Sequence, residues 1–145
     1  MELILDTETW YQPPHYSLTK LSPILYIRDP RFHLHGLGIK IHGTDACKWF
    51  PHLTFLDKPE IDGVDIDLIS QNNGNTVVLH NALFDALILT ERLGLRPSHY
   101  FDTLAATRLL VASPSYSLEN LSSLLLKTQG KLKDDSGTSL VTIGK

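Results

Sequence analysis

Three apolar residues, Leu3–Leu5, run straight into Asp6, Thr7 and Glu8 within the first ten positions of the chain. A short apolar run bounded by polar residues reads as a buried strand. The side-chain period of a strand is two, so Asp6 and Glu8 project from one face and Thr7 points away. Both carboxylates stand at the carboxyl end of what reads as a central strand, the edge where open α/β sheets place their sites. Two carboxylates on one face repel, and without a cation one of them takes up a proton. Oxygen-only ligands that leave open positions suit Mg2+ or Mn2+. Taken alone, D-x-E more often marks a strand running out into a polar turn, so the rest of the chain has to decide.

Downstream the pattern alternates between strand and helix. Residues 11–31 hold four prolines and read as a long, partly irregular connection. Residues 32–42 alternate apolar and polar, "GTDA" supplies a turn, and "CKWF" a partner strand, so 32–50 reads as a hairpin. Ile61, Val64, Ile66, Leu68 and Ile69 recur at roughly helical intervals, which predicts a helix over 60–71. "TVVLH" at 76–80 is rich in β-branched residues and reads as a second buried strand. A helix follows over 82–93, with Gly94 where a C-cap belongs and Pro97 beyond it. Asp102-Thr103 opens a helix through Leu110. Ser117 and Asn120 frame another, with Leu118, Leu121, Leu124 and Leu125 read as its core face. The order fits a mixed α/β sheet covered by helices, with one domain over 1–126 and a polar segment over 127–145.

Composition narrows the function. At 145 residues and 42% hydrophobic, the chain can build one core. A formal net charge of −3 excludes a wholesale electrostatic nucleic-acid binder, though not an enzyme that meets nucleic acid at one site through cations. The single cysteine, Cys47, excludes a disulfide framework and a multi-cysteine zinc site. No apolar stretch approaches the ~20 residues that span a bilayer. Met1-Glu2-Leu3 has no basic n-region, so a soluble cytoplasmic protein without a membrane partner is expected. Among the seven histidines, His33 and His35 share a strand face but have no third ligand at a matching spacing, and His80 reads as a residue at the edge of the core.

A second acidic motif lies in "VVLHNALFDALIL", residues 77–89. Asp85 falls one turn into the helix after the buried strand 76–80. If that strand lies parallel to 3–6, its carboxyl end sits beside theirs and three carboxylates converge. Asn81, at the strand-to-helix junction, is either an N-cap or a substrate contact. Asp85 by itself could also simply favour the helix dipole.

D-T-E at 6–8 and H-N-x-x-F-D at 80–85 together resemble the DEDD superfamily of 3′–5′ exonucleases. "YFDTLAATRLL" (100–110) and "SYSLENLSSLL" (115–125) resemble its branch that proofreads for family A DNA polymerases. "DPRFHLHGLGIKI" (29–41) and the tail "GTSLVTIGK" are similar to bacteriophage polymerase exonuclease domains. The resemblance covers nearly the whole chain. It implies an RNase H-like fold with a mixed five-stranded sheet flanked by helices. It also implies two Mg2+ or Mn2+ ions, with Asp6 bridging both, Glu8 holding the one that activates water and Asp85 ligating the other. Thr9 and Asn81 would then contact the terminal nucleotide, and Trp10 or Phe84 would pack on its base or sugar, with Phe84 the stronger candidate for core. Asp102 reads as a helix cap or a group standing behind the ligands. The implied activity is removal of nucleotides from single-stranded DNA 3′ ends by two-metal hydrolysis.

One part of the family pattern is missing. Its third motif, a helix bearing Tyr-x-x-x-Asp or His-x-x-x-x-Asp, is not found late in this chain, where the carboxylates are Asp134 and Asp135 in a polar stretch. A C-terminally truncated exonuclease, a site completed by a polymerase or another polypeptide, and a degenerate remnant that binds without cutting are the three explanations. The rival function is therefore a non-catalytic nucleic-acid or polymerase-interaction module.

Overall fold

In the computed structural model, residues 1–51, 60–65 and 74–126 are described. In chain order the elements are β1 (Glu2–Thr9), α1 (Pro23–Arg28), β2 (Leu34–Ile41), β3 (Cys47–Pro51), β4 (Glu60–Ile61), β5 (Val64–Asp65), β6 (Thr76–Leu79), α2 (Ala82–Arg92), β7 (His99–Asp102), α3 (Thr103–Leu110) and α4 (Leu118–Leu126). They fall into two compact units, Met1–Thr103 and Leu104–Lys145.

The first unit is built around β1. A five-stranded sheet runs in the order β3-β2-β1-β6-β7. β2 lies antiparallel to β1, and β3 antiparallel to β2, which is the expected hairpin. β6 lies parallel to β1 and β7 parallel to β6. The first strand of the chain is therefore the central one, as its apolar run requires. Alternation then sorts its side chains. Leu3 and Leu5 are buried together with Leu37, Ile39, Phe50, Val77 and Leu79 from the neighbouring strands. Ile88 and Leu89 of α2 and Tyr26 and Ile27 of α1 complete the same core. Each fully buried side chain of this size is worth about 1.5–3 kcal/mol of transfer free energy. Asp6 and Glu8 belong to the opposite row.

The long connection 11–31 carries α1, which starts on Pro23, a residue suited to a first helical turn. At the end of α2, Gly94 adopts φ 67° and the Leu95 amide folds back onto the Leu89 carbonyl, so the expected glycine stop is present. Helix ends also tie the unit together: the Arg92 guanidinium donates to the Ile27 carbonyl and lies 4.7 Å over the Phe32 ring.

Three expectations need correction. Residues 60–65 are not helical. β4 and β5 form a small antiparallel hairpin across Asp62 and Gly63, both with positive φ (49° and 79°). D-G with two left-handed residues is a two-residue hairpin signal, and it overrides the helical spacing of Ile61 and Val64. Residues 66–71 of that expected helix lie outside the described residues, as does the polar segment 127–145 with Asp134 and Asp135. The fifth strand, β7, occupies residues 99–102, where a helix start was read but no strand. His99, Tyr100 and Phe101 are exposed, so no alternation betrays it. In the second unit, the leucine face of α4 is not a core face along its length. Leu121 is buried, whereas Leu124 and Leu125 are 52% and 55% exposed. Its start agrees with expectation, since Ser117 Oγ accepts the Asn120 amide at 3.3 Å.

Among the described residues no helix is long and apolar enough to cross a membrane.

Gly36 sits where β2, β3 and the end of β1 meet. A Cβ there would collide with the Phe50 carbonyl oxygen and lie 2.6 Å from the Trp49 ring. Gly36→Ala is expected to cost about 1–3 kcal/mol of stability as overpacking, measured as a lower urea midpoint with unchanged m-value.

Candidate active site

The site begins with where β6 stops. The His42 amide donates to the Glu2 carbonyl on the β2 side, so even-numbered residues of β1 bond to β2. The odd-numbered amides point the other way, towards β6. β6 is registered with β1 only from Glu2 to Ile4, which leaves the Thr7 amide beyond the end of its partner strand. Asp85, in the first turn of α2, fills that position. Its Oδ1 accepts the Thr7 amide at 3.2 Å and the Thr7 hydroxyl at 2.5 Å. The helix that follows β6 thus lends a carboxylate to the unpaired edge of β1.

This brings the second acidic motif to the first. Asp85 is 5% exposed, and its pKa is pushed up to about 7. Burial is the main cause, and the Asp6 charge adds to it, while the Thr7 hydroxyl works against both. Asp6 is thus within electrostatic reach of Asp85. Asp6 itself is exposed and Glu8 half-buried. Across the sheet, Asp6 is registered with Gly38 and Glu8 with Gly36, so β2 sets no side chain directly opposite either carboxylate, and Lys40 follows Gly38 in the same row. Trp49, opposite Gly38, shares their face, and its ring lies across Gly36.

Among the described residues no three of His, Cys, Asp and Glu stand together as a metal-ligand group. Asp6 and Glu8 share one face, while Asp85 reaches in from the sheet edge through Thr7. The donor chemistry nevertheless fits a hard divalent cation: the donors are carboxylate oxygens, and two of them raise each other's cost of ionisation.

The remaining sequence-marked residues surround this point. Asn81 is the residue before α2, but its side chain makes no capping bond, and its backbone is left-handed at φ 67°, ψ 58°. The N-cap reading is therefore corrected: the left-handed turn points the side chain away from the first helical amides. The Asn81 amide donates to Asp102 Oδ1 at 3.1 Å, so Asp102 holds the corner that aims α2 at β1. Thr103 Oγ1 donates to the Leu79 carbonyl at 3.1 Å, and with its single proton spent it accepts from His80 Nδ1 at 2.9 Å. These bonds tie β6 to the end of β7.

Thr9 and Trp10 follow a bulge, since Glu8 is registered with Gly36 but Thr9 with Leu34, and His35 is skipped. The Tyr26 hydroxyl donates to the Trp10 carbonyl at 2.5 Å, so the Thr9 hydroxyl donates to Tyr26 Oη at 3.1 Å. Thr9 therefore turns to the core side and not to the Asp6 face. The Trp10 ring stacks on Tyr16 at 5.5 Å, Tyr16 on Tyr26 at 4.3 Å, and Tyr26 meets Phe84 at 5.7 Å. Trp10 and Phe84 are the two ends of this aromatic column, both partly buried against the core. Sequence reasoning missed Tyr26, which lies in the proline-rich connection with no motif around it. It also missed the partner of Thr7, for which the only signal was a hydroxyl in an otherwise apolar row.

Residues 66–138, just over half of the chain, match the 3′–5′ exonuclease family. The chain belongs to that family. No curated protein matches it. Among solved structures, this exonuclease-family chain resembles Brucella melitensis NrnC with bound Mg2+, at 19% identity and TM-score 0.61, over 92% of this chain and 57% of that one. It also resembles Brucella melitensis NrnC bound to pGG, at 20% identity and TM-score 0.61, over 97% and 59%. The apo form of a nuclease aligns at 17% identity and TM-score 0.55, over 93% and 56%. The chain thus spans less than three fifths of the length of the structures it matches. At these identities the likeness shows the fold, which is RNase H-like.

The state of Asp85 makes stability depend on pH. A carboxyl whose folded pKa lies above its ordinary value favours the protonated form in the fold, so the folded chain holds more protons than the unfolded one. That contribution is complete below about pH 4 and lost as pH rises through about 7. The loss amounts to roughly 4 kcal/mol. Without divalent cations, the stability advantage of the parent over Asp85→Asn is expected to shrink steadily from pH 4 to 8, as followed by urea titration at each pH.

Proposed function

We propose that this domain removes nucleotides one at a time from the 3′ ends of single-stranded DNA, by cation-dependent phosphodiester hydrolysis, with Asp6, Glu8 and Asp85 as the metal ligands. The observation that carries the reading is Asp85 pinned to Thr7, between the two carboxylates of D-T-E, in a chain of the 3′–5′ exonuclease family. That Brucella melitensis NrnC has been solved with Mg2+ and with pGG supports a divalent cation and a nucleotide as ligands of this fold.

When bound, two Mg2+ or Mn2+ ions supply an activated water and charge stabilisation at the leaving 3′-oxygen. The chain's own residues do the rest. Asp6 and Glu8, side by side on one face of β1, would hold the cations that let an acidic site accept a phosphate. Asp85 contributes the third carboxylate from the sheet edge. Asn81, exposed at its left-handed corner, and Trp10, at the outer end of the aromatic column, meet the terminal nucleotide. Thr9 and Phe84 stand behind them: the first is bonded to Tyr26 and the second packed against it, so both set where Trp10 lies.

A Tyr-x-x-x-Asp or His-x-x-x-x-Asp motif is not found late in the sequence, so the fourth carboxylate and the residue that orients the attacking water come from another segment or polypeptide, a DNA polymerase among the candidates. Weak activity is therefore expected of this chain by itself, because removing one member of a cooperating site costs orders of magnitude in rate. Incubation with Mn2+ and a 3′-labelled single-stranded oligonucleotide should release single nucleotides slowly. Saturating Mg2+ should raise the melting temperature, with about 2.7 kcal/mol of added stability at a hundred times the dissociation constant. Asp6→Ala should abolish both effects. Brisk release would refute the incomplete site. A melting temperature indifferent to Mg2+ and Mn2+ would refute the nuclease and favour a binding module.

A further inference from the structure

We infer that Thr7 is the positioning residue for Asp85, fixing the third carboxylate of the cation site from the strand that carries the other two. The inference deepens the exonuclease reading and rests on it.

Thr7 follows Leu3 and Leu5, both buried apolar residues, in the core-facing row of β1, and Leu37 and Phe50 across the sheet are buried as well. Packing alone would be served there by valine, which has the same shape. Thr7 is only 8% exposed, so its hydroxyl needs a partner, and it finds Asp85 Oδ1 at 2.5 Å, where the backbone amide of the same residue also converges. Two donors from one residue on one carboxylate oxygen fix both the position and the rotation of the carboxyl group. Once a bound cation keeps Asp85 ionised, these hydrogen bonds are of the short and strong kind.

The placement has a geometric consequence. Asp6 and Glu8 flank Thr7 in sequence and project from the other face of the strand, so all three carboxylates are referred to one short stretch of extended backbone. The helix bearing Asp85 could shift slightly against the sheet without changing the spacing of the ligands, provided that Thr7 keeps its hold. Groups that orient a metal ligand from behind commonly account for about 10–100-fold in metal affinity. Without the hydroxyl, the carboxyl group would have to be ordered at the expense of cation binding.

The test is a Mg2+ titration of the full chain read as thermal stabilisation, with no substrate present. Thr7→Val keeps the volume and the amide bond but loses the hydroxyl, and it should need about tenfold or more Mg2+ to reach half of its stabilisation. Thr7→Ser restores a hydroxyl and should return to within about twofold of the parent, a rescue that a purely packing role would not produce. Thr7→Ala should move in the same direction as Thr7→Val, and it serves if the valine variant does not fold. Unchanged midpoints in Thr7→Val and Thr7→Ala, alongside a lost response in Asp85→Asn, would overturn this inference and leave the exonuclease reading intact. A parent chain that responds to neither Mg2+ nor Mn2+ would overturn both.

Discussion

Thr7 joins the two acidic motifs: its amide and its hydroxyl both donate to Asp85. The junction exists because β6 is shorter than β1. Had the parallel pairing continued past Ile4, the Thr7 amide would have met a backbone carbonyl and Asp85 would have had no place at the sheet. A strand end that looks like an unfinished ladder is thus the means by which a helix-borne carboxylate enters the site. Buried amides seldom go unpaired, and here the pairing demand is met by the Asp85 side chain.

The surrounding elements hold that junction from three sides. Asp102 takes the amide of Asn81 and fixes the left-handed corner from which α2 departs. Thr103 and His80 fasten the end of β6 to the end of β7. Tyr26 gathers Thr9 and Trp10 by its hydroxyl and Phe84 by its ring, coupling the tail of β1 to the first turn of α2. Together these groups decide where β1 ends and where α2 begins. Directly opposite the carboxylates, β2 places Gly38 and Gly36, with Lys40 next in the same row.

Much of this was legible from residue types. The apolar run of β1, the β-branched run of β6 and the Gly94 stop of α2 are local signals, and each element lies where its signal stands. The parallel pairing of β1 and β6, from which the expected meeting of three carboxylates was argued, agrees with the register, although among the described residues the three do not stand together as a metal-ligand group. What was not legible depends on contacts remote in sequence or on dihedral angles. The Asp62-Gly63 turn lay inside an apparently helical spacing, because Ile61 and Val64 satisfy a helix and a tight hairpin alike. β7 has exposed side chains and no alternation. The capping role of Asn81 failed because residue type does not reveal a left-handed backbone. Tyr26 had no motif to announce it, since its importance comes from three neighbours that fold onto it.

The strand order also bears on how such a chain is made. The central strand β1 leaves the ribosome well before β6, the parallel neighbour that covers one of its edges and begins at Thr76. At about 5–20 residues per second, translation leaves that edge waiting on the order of several seconds. The antiparallel hairpin of β2 and β3 is available sooner and can shelter the opposite edge meanwhile. Nascent chains of this topology therefore carry an open, partly apolar border until β6 emerges, and the acidic pair at its tip discourages other strands from docking there.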